Sequence, residues 1–196
     1  MKHLVIFASL VLIMSALCCI VPTRAETELY KNVVRLHVIA NSDSEDDQQT
    51  KLAVRDAVLS EIGEITSGAE SAEDAALMIS ENIKDIRALV DAALIGRGEG
   101  ITSSVALSEE YYPEKSYGDV TLPAGKYTSL RIMLGRAEGR NWWCVLFPAV
   151  CTSAAKASSV FKQTGFSTEQ INILTEDEKP VYKIKFKILE LFGGYA

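Results

Sequence analysis

Three side chains outside the apolar N-terminal segment have the makings of covalent or proton-transfer chemistry: Cys144, Cys151 and His37. Cys144 and Cys151 lie in Asn-Trp-Trp-Cys-Val-Leu-Phe-Pro-Ala-Val-Cys, residues 141–151, which also carries both tryptophans of the chain, Trp142 and Trp143. A thiolate beside an imidazole is a nucleophile at neutral pH. Cys144 with His37, and Asn41 or Asp43 to orient the ring, is the one constellation of that kind the chain can assemble. It requires Cys144 to be reduced. The opposing reading is a disulfide: seven residues separate the two cysteines, and they meet if Pro148 and Ala149 turn the chain back. Closing so short a loop contributes about 2–3 kcal/mol in the chain-entropy model.

Which reading applies depends on the compartment, and the first 25 residues bear on that. Lys2 and His3 precede an almost unbroken apolar run from Leu4 to Val21, Pro22 ends it, and Thr23-Arg24-Ala25 offers a cleavage site after Ala25. The pattern predicts a signal peptide over residues 1–25. A run of roughly 18 apolar residues is also near the length that spans a bilayer, so an uncleaved anchor is the alternative. Cys18 and Cys19 follow Leu17 and Cys18 rather than a small residue, which argues against lipidation, and both leave with the leader. Export favours the disulfide between Cys144 and Cys151.

Residues 26–196 have the length of one domain with a core of its own. Without Lys2 and Arg24 the balance is 18 basic against 26 acidic residues, a net charge of −8. Such a surface gives no electrostatic help to binding nucleic acid or an anionic membrane. Metal chemistry has little to build on. His37 is the one histidine after the leader, and the Asn41-x-Asp43-x-Glu45 opening of a calcium loop fails at Asp46, where glycine is needed, and at Leu52, where a bidentate Glu is needed. No nucleophile elbow, phosphate loop or dinucleotide fingerprint is present, and no cofactor is expected.

The elements that would position these residues read as an α+β domain, a mostly antiparallel sheet packed against two amphipathic helices. Residues 32–40 alternate with apolar side chains on both faces, which predicts a central strand. A polar turn, 41–47, loads acids at the start of a helix that runs to about Ile62. Ser71 with Asp74 starts a second helix, whose stripe of Ala76, Ile79, Ile83, Ile86, Val90 and Leu94 continues to Gly96. From Ile101 to Leu107 the period changes to two. Residues 127–134 and 142–147 read as strands joined into an antiparallel hairpin by Gly135–Gly139. Val181–Leu189 reads as a last strand, with Lys183, Lys185 and Lys187 outward.

Histidine on a central strand is either a core residue bonded to its neighbours or a contact for a ligand or partner. The two tryptophans must face opposite ways, so one is core and the other an available anchor for a protein or a sugar ring. Asn41, Ser42, Asp43 and Ser44 serve in capping the helix, or else Asn41 and Asp43 make a contact.

The blocks Arg35–Gln48 (RLHVIANSDSEDDQ), running on through Lys51–Leu59, and Asn141–Pro148 (NWWCVLFP) with Cys151, together with Leu122-Pro-Ala-Gly-Lys-Tyr127 and Leu130-Arg-Ile132, resemble the stage II sporulation protein R family of endospore-forming Firmicutes. Ala149-Val150 departs from the proline and leucine more usual there, and the tail after Phe161 matches only loosely. The resemblance implies a signalling protein rather than an enzyme. It would be exported from the forespore into the space before the mother-cell membrane, to activate a membrane-embedded aspartic protease that removes the pro-sequence of sigma factor E. The candidate partner-binding residues are then His37, Asn41, Asp43, Trp142 and Trp143. A secreted cell-wall hydrolase using Cys144, or a carbohydrate-binding module using an exposed tryptophan, are the rival readings.

Overall fold

β1, Val34–Ile39, organises the molecule because its side chains are apolar or buried on both faces, which demands cover above, below and on either edge. In the computed structural model, which describes residues 2–7, 9–10, 24–96, 100–151 and 155–175, β1 lies inside a four-stranded sheet. The other strands are β2 (Ser103–Tyr112), β5 (Gly125–Leu134) and β6 (Asn141–Phe147), in the order β2-β5-β1-β6. β1 runs parallel to β5 and antiparallel to β6, and β2 runs antiparallel to β5. The fold is α+β, as expected, with two of the three pairings in this sheet antiparallel.

The first face of the sheet, carrying Leu36, Val38, Leu130, Ile132 and Leu134, packs against α2 (Glu45–Ile65), α3 (Ala72–Glu81) and α4 (Ile83–Gly96). α2 begins where Ser44 accepts from the Asp47 backbone N–H at 3.2 Å, with Glu45, Asp46 and Asp47 set against the positive end of the helix dipole. Ser71 caps α3 in the same way, accepting from Asp74 N–H at 3.1 Å. The single helix expected from Ser71 to Gly96 is two. At Asn82 the side-chain amide donates to the Met78 carbonyl at 2.8 Å and the Asn82 carbonyl accepts from Asp85 and Ile86, so this residue ends α3 and starts α4. The apolar stripe survives the break, with Ile79, Ile86, Val90 and Leu94 all buried.

Gly63 stands exposed in the last turns of α2, and a Cβ there would meet nothing within 4 Å. Gly63→Ala should therefore stabilise the domain by about 0.5–1 kcal/mol, read as a shift of the urea midpoint at constant slope.

On the second face a smaller layer covers one end of the sheet. It comprises α1 (Arg24–Lys31), the hairpin of β3 (Lys115–Tyr117) and β4 (Val120–Leu122), α5 (Ala157–Gln163) and α6 (Thr168–Thr175). Leu29, Val33, Leu122, Tyr127, Val145 and Phe161 form the core beneath it.

One expected pairing is corrected. β5 and β6 are not hairpin partners; β1 lies between them. Their connection passes over the end of β1, where Gly139 N–H donates to Ala40 O at 2.9 Å and Glu138 N–H to Asn41 O at 3.2 Å. A strand buried on both faces leaves no ladder edge open to water, so β1 takes both neighbours and the two sequence-adjacent strands are held apart. The expected strand over Val181–Leu189 and the leader residues 11–23 lie outside the described residues. Among the described residues no helix is long and apolar enough to cross a membrane.

Candidate functional site

Strand register brings a set of polar side chains together on the second face. Arg35 lies opposite Ser129 of β5, and His37 lies between Arg131 of β5 and Trp143 of β6. Glu110 and Tyr112 join them from the far end of β2. His37 is nearly buried, with Nδ1 2.8 Å from Glu110 Oε1 and Nε2 2.9 Å from Asn141 Oδ1. Both ring nitrogens are therefore satisfied within the fold, and the plane of the ring is fixed.

Glu110 is the hub. Its second oxygen accepts from Ser129 Oγ at 3.0 Å, Ser129 in turn lies 2.6 Å from the Tyr112 hydroxyl, and Arg131 Nη1 stands 4.0 Å from Oε1. Burial alone would raise the Glu110 carboxyl. The hydrogen bond and charge of His37, the Ser129 hydroxyl and the Arg131 guanidinium together outweigh it and hold the group below its ordinary value. Burial pushes the Tyr112 phenol up, against the smaller pull of Ser129 and Arg35, so it remains a neutral donor.

Arg35 is wholly buried in a box of tyrosines. Its guanidinium carbon lies 3.9 Å from the Tyr112 ring centroid, 4.9 Å from that of Tyr127 and 5.6 Å from that of Tyr117, and Nη2 donates to the Tyr117 hydroxyl at 2.6 Å. Stacking on ring faces satisfies part of the charge. Its Nε and Nη1, and Nε of Arg131, have no hydrogen-bond partner among the described residues.

The candidates expected from sequence are divided among three places. His37 and Trp143 come together, their ring centroids 5.6 Å apart, with Lys115 Nζ 4.3 Å from the Trp143 ring. Trp142 faces the other way, as alternation requires, and is 36% exposed beside α2, where the Arg55 guanidinium carbon lies 4.4 Å from its ring. Asn41 and Asp43 are at the end of β1 and fasten the β5–β6 connection: Asn41 Oδ1 accepts from Arg136 N–H at 3.0 Å, and Asp43 Oδ1 from Arg140 N–H at 2.7 Å. Asn41 also donates to Asp47 at 3.0 Å, and Ser42 donates to the same carboxylate, which its hydrogen bond holds below the ordinary aspartate range. The helix cap itself is Ser44.

Cys144 is bonded to Cys151, with their Cα atoms 6.3 Å apart, and it lies opposite Leu36 on the helix-covered face. His37 is on the other face, so the thiol–imidazole pair is not formed. Among the described residues no group of three or more His, Cys, Asp or Glu side chains is arranged to hold a metal.

Glu110, Ser129, Arg131, Asn141 and the tyrosines of the box were not anticipated from the sequence. The strand read over 101–107 stops short of Glu110 and Tyr112. Extending its alternation to residue 112 would have placed Ala106, Glu110 and Tyr112 on one face with Arg131 and Ser129.

Fold and site together define a small α+β domain with a disulfide-closed strand end and a polar, tyrosine-lined cluster on the sheet face away from its main helix layer. Residues 30–157 match the family model described as stage II sporulation protein R, and the chain belongs to that family. It is similar to stage II sporulation protein R of Bacillus subtilis (strain 168), 40% identical over 118 residues, 60% of this chain and 53% of the relative. The match thus spans about half the length of that curated relative. No solved structure matches the chain. The whole cluster from Arg35 to Trp143 falls inside the matched residues, and a role in sporulation follows from the family.

Proposed function

We propose that this protein is an exported sporulation signal that activates a membrane-embedded aspartic protease, which then removes the pro-sequence of sigma factor E. Membership of the stage II sporulation protein R family over residues 30–157 is the observation that carries the reading. The leader expected over residues 1–25 would take the chain out of the forespore, into the space between the forespore and mother-cell membranes. Cys144–Cys151 is the kind of bond that persists in such a compartment.

A signalling protein acts on a protease by binding one of its states better than another, because a ligand with equal affinity for both shifts nothing. A rigid surface suits that task. The fixed ring of His37 and the half-buried Trp143 beside it give this domain one. Trp143→Ala should lower processing of the sigma-factor precursor roughly tenfold, in the range of a buried aromatic anchor, with the folded yield retained. Asp43→Ala, which releases the backbone of Arg140, should cost folded protein as well as activity. Full processing with folded Trp143→Ala would remove that residue from the contact. Terminal sequencing of the exported protein should begin at Glu26; a start at Met1 would show the leader retained.

A further inference from the structure

We infer that the uncovered half of the second sheet face, centred on Arg131, is the surface that meets the protease, and that it receives an acidic segment of the protease's portion outside the membrane. The inference rests on the activator reading above and adds to it a place and a chemistry.

Among the described residues, the small second layer covers the end of the face around Arg35, and none covers the end where β1 and β5 finish. There Ser104 and Asn141 are exposed, and Ile39, Met133, Ala106 and Arg131 are half-buried. The charge on this face is opposite to that of the chain. Residues 1–196 carry a net −6, yet over the second face as a whole, its covered end and the β3 hairpin included, the charged side chains brought together are Arg35, Arg131 and Lys115 against Glu110. Neither Arg35 nor Lys115 has a carboxylate within ion-pair distance among the described residues. Glu110 is already shared by His37, Ser129 and Arg131.

The second observation is the unused donors. Arg131 Nε and Arg35 Nε and Nη1 are buried without a hydrogen-bond partner among the described residues, and Arg35 is wholly buried. Guanidinium groups in low dielectric with open donors attract a carboxylate more strongly than exposed ones do. Arg131, with its side chain 38% exposed, is the one an incoming group reaches, and the charge of Arg35, buried among tyrosines at the covered end of the same face, adds to the field there. Trp143, on the other side of His37 from Arg131, supplies the aromatic anchor.

The test uses the full chain co-expressed with the protease and the sigma-factor precursor. A benzoylphenylalanine photocrosslinker is placed at Ser104 or Met133, which pair across β2 and β5 on this face, and as a control at Leu77, 58% exposed on α3. Ser104 and Met133 should give an adduct with the protease, and Leu77 should not. In parallel, Arg131→Gln should reduce processing roughly tenfold and Arg131→Glu further, with unchanged near-ultraviolet dichroism, and Arg131→Lys should recover part of the loss. Charge reversal of the crosslinked protease acid to lysine should rescue Arg131→Glu. Three results overturn this surface while leaving the activator reading intact: adducts at Leu77 alone, adducts joining two copies of this chain, or wild-type processing by folded Arg131→Glu. Arg131-dependent binding of the purified protein to phosphatidylglycerol vesicles, with no protease adduct, would assign the patch to lipid and overturn it too. No stimulation by the wild-type chain defeats the activator reading and this surface with it.

Discussion

Glu110→Ala will lower the stability of the domain by about 3 kcal/mol, a cost comparable to breaking a buried ion pair from one side. The carboxylate answers His37, Ser129 and Arg131 at once, so its loss strands a histidine nitrogen, takes an acceptor from the Ser129 hydroxyl and leaves Arg131 without its carboxylate partner. Glu110→Gln keeps the shape and one acceptor and should cost less. The same group sets part of the pH response. Its folded value lies below the ordinary 4.5, so the contribution is fully present above that value and is lost as pH falls through the lowered one. Urea titrations from pH 7 to pH 3 should show the wild type losing stability over that range, with a shallower acid limb in Glu110→Gln. A Glu110→Ala protein within about 1 kcal/mol of wild type would mean that the cluster does not depend on this charge.

Gly135→Ala is expected to cost about 3 kcal/mol for reasons of backbone and space together. Gly135 has φ +57°, where a β-carbon costs roughly 1–2 kcal/mol, and the added atom would strike Asn41 Oδ1. Displacing that carboxamide releases the Arg136 N–H and the hydrogen bond to Asp47, which fasten the β5–β6 connection to the end of β1. Because the two effects share Asn41, a double-mutant cycle separates them. Asn41→Ala combined with Gly135→Ala should be less destabilising than the sum of the single changes by about 1 kcal/mol. Strict additivity in thermal or urea unfolding would show that the cost is purely one of backbone conformation.

How much of this was legible in the sequence depends on which interactions are local. The central place of β1 follows from apolar residues on both its faces, and the opposite directions of Trp142 and Trp143 follow from strand alternation. Ser44 and Ser71 mark helix starts that the sequence signals within three residues. The break at Asn82 is local too, but a continuous apolar stripe conceals it. What escaped is set by chain order in space. A five-residue Gly-flanked turn looks like a hairpin unless the competing claim of β1 on both neighbours is recognised. The cluster joins residues 73 and 104 positions apart through His37. The short elements α1, β3, β4, α5 and α6 have too few residues to display a period, and their contribution becomes evident only in the core they cover. Of the expected site residues, His37 and Trp143 meet, whereas Asn41 and Asp43 are engaged in holding the strand connection.

The central claim is that this chain switches on a protease acting on the sigma-factor precursor. Its most direct test is co-expression of precursor and protease in a host that lacks both, with and without the exported form of this protein, scoring conversion of precursor to mature sigma factor. The account predicts conversion only when the chain is present, and none when the protease's catalytic aspartate is replaced. Equal conversion in its absence would contradict the account.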